Sequence, residues 1–369
     1  MKIDAEFPGG NILVEHIDGN TIDVRQDLRD TGEWWFWWAL RVSGAAGRTL
    51  TFRFTNGDVF SACGPCASWN AIDWHWLGRT DSPRTSFTVT IPPRVDVAYF
   101  SFAPLYTQRH LERFLRELET RIAPGRVERG TLCASEHGRP VELLRVPAKR
   151  RNGARTVALI ARTHACEVSA NFVMEGILSE WLTAQSPGAA WLHENYELVV
   201  VPFMDKDGVE EGDQGKARKP HDHNRDFGAS PLYASVRALQ ELLLGCKNRL
   251  DFYLDIHAPY LRDGINDTIF FTGQPQPWQT ELDKLTALVE DIHDGHLPYH
   301  SADTIAHGVD WNKGLAASSA GWVQIACAPK FAGVLEVTYG KAHEVDVTPD
   351  GLREFGASLA KAMASYLRG

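Results

Sequence analysis

Four short apolar runs alternate with helical stretches over the C-terminal two thirds of the chain, and this alternation restricts the fold more than any other feature. The runs are Thr156–Ala161 (TVALIA), Glu197–Phe203 (ELVVVPF), Asp251–Ile256 (DFYLDI) and Gly333–Val337 (GVLEV). Between them, Val168–Leu182 sets Val168, Phe172, Ile177 and Trp181 near one helical face, and Ser230–Leu244 is a second helical stretch. Strands that read as continuous apolar runs are buried on both faces, so the expectation is an α/β sheet covered on each side.

The first hundred residues follow another rule. Thr49–Phe54 (TLTFRF), Ser86–Ile91 (SFTVTI) and Val95–Phe102 (VDVAYFSF) are short, rich in Thr, Val, Phe and Tyr, and bounded by turn formers. The cluster Trp34, Trp35, Phe36, Trp37, Trp38 precedes a further strand-like run, Ala39–Val42. Strands at this spacing predict an all-β antiparallel sandwich, with the tryptophans in core and inter-domain packing. After Pro104 the pattern turns helical, with Leu111, Phe114, Leu115 and Leu118 repeating through Gln108–Arg121. The predicted division is a β domain over 1–105 and an α/β domain over 106–369, which 369 residues are enough to build.

Net charge of -9 argues against nucleic acid, whose phosphates require a surplus of Lys and Arg. The start, MKIDAEFPGGNILVEH, has no basic stretch followed by an apolar core, and no apolar run approaches the roughly 18 residues of a bilayer span. Six cysteines do not make a disulfide framework in a chain of this length. A cytoplasmic protein, free of membrane, is expected.

The polar residues of interest follow the apolar runs. His164 and Glu167 come after TVALIA, the loop from Met204 to Phe227 after ELVVVPF, His257 directly after DFYLDI, and Glu336 within GVLEV. Ligands of open α/β sheets bind beyond the carboxyl ends of the strands, so four segments converge on one crevice. A His-x-x-Glu pair with a later His is a catalytic zinc set that leaves the fourth position open for water.

In order and content these segments resemble the zinc carboxypeptidases, specifically the cytosolic carboxypeptidase branch with an N-terminal β domain. The matching pieces are His164-Ala-Cys-Glu167, Asp222-His-Asn224-Arg225, the LeuAspIle before His257, and GlyValLeu before Glu336. Trp37–Thr49 and Ala103–Thr107 are similar to that branch's β domain and its exit, so the likeness covers nearly the whole chain. Asp-x-Asn-Arg is its most specific part. The resemblance implies a mixed-sheet catalytic domain and an exopeptidase that removes C-terminal residues, acidic ones among the candidates, from peptides or proteins. It implies zinc on His164, Glu167 and His257, and Asp222 behind the far nitrogen of His164. Asn224 and Arg225 would hold the substrate's terminal carboxylate. Arg218 would polarise the scissile carbonyl, and Glu336 would act as general base toward the metal-bound water. Arg262 or the cluster at 216–219 would supply charge for an acidic side chain.

Some positions depart from the family. Gly308–Trp311 matches a Gly-Ser-Ile-Asp-Trp-like segment whose upstream tyrosine would fall near Ala302, with Tyr299 close by but out of register. Ala258-Pro259 follows His257, where relatives can have a cis bond. Cys63-Gly-Pro-Cys66 copies the thioredoxin string, yet it lies in a β region with no strand–helix unit to lower a thiol pKa, so a turn is expected. His221 and His223 flank Asp222 as i, i+2 neighbours and are expected to be structural or substrate-facing, and Asp205 and Asp207 to be turn formers. Three rival functions stay open: a zinc deacylase of the aspartoacylase type, a binding protein on a dead peptidase scaffold, and a thiol oxidoreductase. The aspartoacylase layout puts its β domain last and uses a Gly-Asn-Glu first motif.

Overall fold

The computed structural model describes residues 1–79, 84–150, 152–313 and 317–369. Its largest sheet has seven strands in the order Glu128–Ala134, Pro140–Val146, Tyr196–Val201, Arg155–Ala161, Leu250–His257, Phe331–Val337, Ile269–Phe271. The four apolar runs are the four central strands, and they pair parallel with one another. Both flanks are antiparallel, which makes the sheet mixed. Parallel strands need covered faces, and the helices Ser169–Thr183 and Pro349–Arg368 pack together on one side while Ala234–Cys246 and Ser319–Ala326 serve the other. Every residue of Leu250–His257 is buried.

The first 101 residues form two sheets of five and four strands. The order in the larger is Lys2–Asp4, Ala39–Ser43, Val97–Ser101, Cys66–Ser68, His75–Trp76, all antiparallel. In the smaller, Thr21–Arg25 runs parallel to Thr49–Phe54, a departure from the wholly antiparallel expectation. Alternation sets the inner face: Leu50, Phe52 and Phe54 are buried while Thr49 and Arg53 are exposed. Trp38 packs on Phe54, Phe60 and Phe87, and its indole N–H donates to the Val59 carbonyl at 2.9 Å.

The two regions share one apolar core. Phe36 and Phe102 both meet the ring of Tyr339 from the α/β region, at 5.8 and 5.0 Å between centroids. The expected packing role of the aromatic cluster is thus seen directly. Polar contacts reinforce the seam. Asn11 donates to the Gly212 carbonyl at 2.7 Å, and Gln214 exchanges hydrogen bonds of 2.8 Å with the backbone N–H and C=O of Trp37. Among the described residues the cis peptide bonds are Lys219–Pro220 and Gln276–Pro277; Ala258–Pro259 is not among them.

Candidate metal and catalytic site

The carboxyl ends of two adjacent parallel strands carry the centre. His257 closes Leu250–His257, and its register partner across the ladder is Glu336. One strand over, the chain leaves Ala161 through Arg162, which takes a left-handed φ of 57° and is buried. The Arg162 guanidinium donates to the carbonyls of Tyr106 and Ala165 and to Asn171, so the turn that presents His164 is pinned from beneath. Burial pulls this guanidinium down to about 10, and its hydrogen bonds keep it satisfied.

Three side chains converge there. His164 Nδ1 lies 3.0 Å from Glu167 Oε1, His257 Nδ1 lies 2.8 Å from Glu167 Oε2, and the two Nδ1 atoms are 3.2 Å apart. All three residues are buried. Ring nitrogens this close, facing a carboxylate, form a ligand set for a cation with two imidazoles and one carboxylate, the donor chemistry of catalytic zinc. Each far nitrogen has a carboxylate behind it. Asp222 Oδ1 is 3.6 Å from His164 Nε2, as expected, and Asp255 Oδ2 is 2.9 Å from His257 Nε2. Asp255 also accepts from Thr163, at 3.0 Å, and from Ser319. It was missed in the sequence, although a residue two before His257 on one strand must share its face.

Electrostatics follow from burial. Burial pushes the Glu167 carboxyl up, but Lys216, His164 and His257 outweigh it and hold it well below the usual range. For Glu336 burial wins over His257 and Lys216, and its carboxyl is raised. Glu336 Oε2 is buried with no hydrogen-bond partner. A buried carboxylate oxygen without a donor is costly, as expected of a group kept ready to handle a proton.

Two cavities meet at Glu336, Arg225 and Trp311. One of about 820 Å³ contains His164, Lys216 and Asp222 and is walled on one side by Gly32, Glu33 and Trp35 of the β region. The other, of about 390 Å³, contains Asn224, Gln274, His307, Lys313 and Gln324. Asn224 Oδ1 accepts from the Ser319 N–H at 3.1 Å, and the exposed Arg225 donates to the carbonyl of Asn224 at 3.0 Å.

Four expectations need correction or filling in. Arg218 is not free to serve a substrate carbonyl. Its Nη1 and Nη2 donate to Asp205 and Asp213 at 2.9 Å each, and its Nε lies 2.5 Å from Asp30 without hydrogen-bond alignment. Asp205 is accordingly more than a turn former: it is buried and also caps the Gly208 N–H at 3.1 Å. Arg262 does not face the site, since Asp58 and the Phe60 carbonyl hold it. Tyr299 is a core residue against Phe271 and Phe355 and lines neither cavity. His223 is buried and stacks on Tyr233 at 3.7 Å, which makes it structural, whereas His221 bonds Asp226 and also lines the larger cavity. The Cys63 thiol donates to the Gly340 carbonyl at 2.9 Å, and burial with Asp346 pushes its pKa up to about 12. A nucleophilic thiol needs the opposite shift, so the geometry agrees with a turn.

The chain matches the family described as zinc carboxypeptidase over residues 111–257 and the cytosolic carboxypeptidase N-terminal domain over residues 3–102. Cytosolic carboxypeptidase 1 of Mus musculus is 30% identical over 190 residues, 47% of this chain and 16% of that protein's length. An uncharacterised protein of Zymomonas mobilis is 28% identical over 266 residues, 70% of this chain and 67% of the relative. The crystal structure of a metallo-carboxypeptidase from Burkholderia cenocepacia superposes with a TM-score of 0.81 at 19% identity, covering 100% of this chain and 99% of that one.

Proposed function

We infer, since this chain belongs to the zinc carboxypeptidase family in the branch with the cytosolic carboxypeptidase N-terminal domain, that it is a zinc-dependent exopeptidase acting on the C-termini of peptides or proteins. The observation that carries this reading is the convergence of His164, Glu167 and His257 beside an unpartnered Glu336 in a cleft that also holds Arg225. His164, Glu167 and His257 would hold the zinc, which when bound would supply Lewis-acid chemistry.

The chain's own residues do the rest. Asp222 and Asp255 orient the two imidazoles. Glu336 takes a proton from the attacking water and returns it to the leaving amine as the C–N bond breaks. Arg225 meets the terminal carboxylate with its planar fork, and Asn224, its carbonyl oxygen engaged by Ser319, offers its amide N–H groups to the same carboxylate. The 390 Å³ cavity receives the departing residue's side chain. Among its described lining residues Glu336 alone is acidic, while Arg225 and Lys313 add positive charge, so C-terminal Asp or Glu is the favoured substrate.

A division at residue 105 and a cytosolic location belong to the same reading. No helix among the described residues is long and apolar enough to cross a membrane. The aspartoacylase-type deacylase is not favoured, because the β region comes first and the leading motif is His-Ala-Cys-Glu. The test is a library of free-acid peptides incubated with zinc-loaded protein, with released amino acids identified by mass. Stepwise release from the C-terminus, with Asp and Glu leading, is expected. Internal cleavage, or release of N-acyl groups alone, would overturn the reading.

A further inference from the structure

Resting on the exopeptidase reading, we propose that Lys216 is the catalytic cation that receives the oxyanion of the scissile carbonyl, and that residues 30–37 of the β region hold it in place. Four cations border the larger cavity: Lys216, Arg218, Arg225 and the exposed Lys219, which makes no contact with the metal trio. Arg218 faces three carboxylates with one charge, so little field remains for a substrate. Arg225 stands where the two cavities join and is suited to the terminal carboxylate. Lys216 reaches the metal trio itself, with Nζ 2.6 Å from Glu167 Oε1, and its side chain keeps 19% exposure toward the cavity it shares with His164 and Glu336.

Once Glu167 also serves a metal ion, the Lys216 ammonium is offset only in part by Glu167 and Glu336, which favours a further anion in the cavity they share. The anion that forms beside such a site during hydrolysis is the carbonyl oxygen. As water adds to the carbonyl carbon, the π pair moves onto oxygen and a Lys216 N–H donates to it without transfer of the proton. On collapse the pair returns, the C–N bond breaks, and the amine nitrogen takes its proton from Glu336. Three rotatable N–H donors let one ammonium keep Glu167 and meet the oxyanion at the same time.

The position of Lys216 is built from both regions. Gly215 has a φ of 73°, and a Cβ there would lie 2.2 Å from the Ala165 nitrogen, so the loop rests directly on the metal motif. Gln214 is clamped to Trp37, the Gly32 N–H donates to Ala217 O at 2.8 Å, and the Lys219 N–H to Asp30 O at 3.2 Å. The Trp35 ring lies 5.6 Å from the Lys216 ammonium, within cation–π range. A β region that both walls the cavity and fixes its cation is part of the active site.

The test compares binding of two ligands to the zinc-loaded full chain. One is a phosphonate peptide analogue with a tetrahedral anionic centre; the other is the free-acid product. Lys216→Met should keep its zinc and its thermal transition, lose phosphonate affinity by about a hundredfold, and change product affinity by less than about threefold. Lys216→Arg, which returns a cation, should recover at least about tenfold of that loss. Equal weakening of both ligands, or of neither, would overturn the assignment. Turnover of wild type on free-acid peptides is measured in parallel: phosphonate binding through Lys216 without any peptide cleavage would unseat the exopeptidase reading and uphold the cation.

Discussion

Two clusters on the α/β region have the composition of a metal site, and they differ in how their atoms are already engaged. In the buried cluster of His164, Glu167 and His257, both imidazoles turn Nδ1 toward one carboxylate, and carboxylates stand behind their other nitrogens. In the second, His137, Asp207 and Glu211, the donors are satisfied from outside. Arg139 donates to Asp207 Oδ1 and Glu211 at 2.6 and 2.7 Å, Ser135 donates to the same Asp207 oxygen at 2.8 Å, and the His137 N–H donates to its other oxygen at 2.9 Å. His137 is exposed, and its Nδ1 is hydrogen-bonded to the Glu211 carboxylate at 2.6 Å. Residue type and proximity are therefore insufficient. Both clusters hold a cation, Lys216 on Glu167 and Arg139 on Asp207 and Glu211, but only the buried one turns two imidazole nitrogens onto a single carboxylate.

The largest test of that contrast is the metal itself. His164→Ala or His257→Ala should bring zinc content from about one equivalent to near zero, since a three-ligand site rarely survives on two, while His137→Ala should leave it unchanged. Elemental analysis after dialysis decides, and loss of zinc in the His137 variant would invert the comparison. Glu336→Gln comes next. It should retain zinc and lose roughly a hundred- to ten-thousandfold in kcat/KM, the range for removing a general base. Near-normal turnover would show that the unpartnered oxygen is not the base.

A smaller effect is expected from the substrate's own charge. A C-terminally amidated peptide leaves Arg225, covered by the bound substrate, without its partner at a cost on the order of 2–5 kcal/mol, so it should be cleaved at least about thirtyfold more slowly than the free acid. Arg225→Lys should lower activity on the acid and narrow the gap, because a point charge cannot copy the guanidinium fork. Equal rates on both peptides with wild type would remove Arg225 from the site.

The smallest effects belong to groups already satisfied. Cys63→Ser with Cys66→Ser should leave peptidase activity intact. With its pKa pushed up to about 12 by burial, the Cys63 thiol stays protonated at pH 8, so Cys63 in the native protein should resist iodoacetamide until the chain unfolds, as read by peptide mapping. Rapid labelling of the folded protein would revive a redox role.

Legibility in the sequence followed the range of the forces involved. The central strands were readable because burial on both faces writes a continuous apolar run, and His164, Glu167, His257 and Glu336 were readable because each lies on or just past such a run. The likeness to a family then supplied Asp222, Asn224 and Arg225. Arg218 misled because a basic residue near the right place in a loop says nothing of who neutralises it. Asp30 lies in the β region and Asp205 and Asp213 elsewhere in the loop, and no local pattern links them.

What the sequence determined by itself was the alternation of strand and helix, the change of regime near residue 105, and the residue types able to bind a metal. These depend on side-chain periodicity and chemistry, which short segments carry unaided. The tertiary structure alone decided that Lys216 rather than Arg218 lies against the metal trio, that Asp255 backs His257, and that Trp35 and Gly32 wall the cleft. Each rests on contacts between segments far apart in the chain, such as Trp37 with Gln214 and Gly32 with Ala217, whose geometry exists only once one apolar core has drawn both regions together.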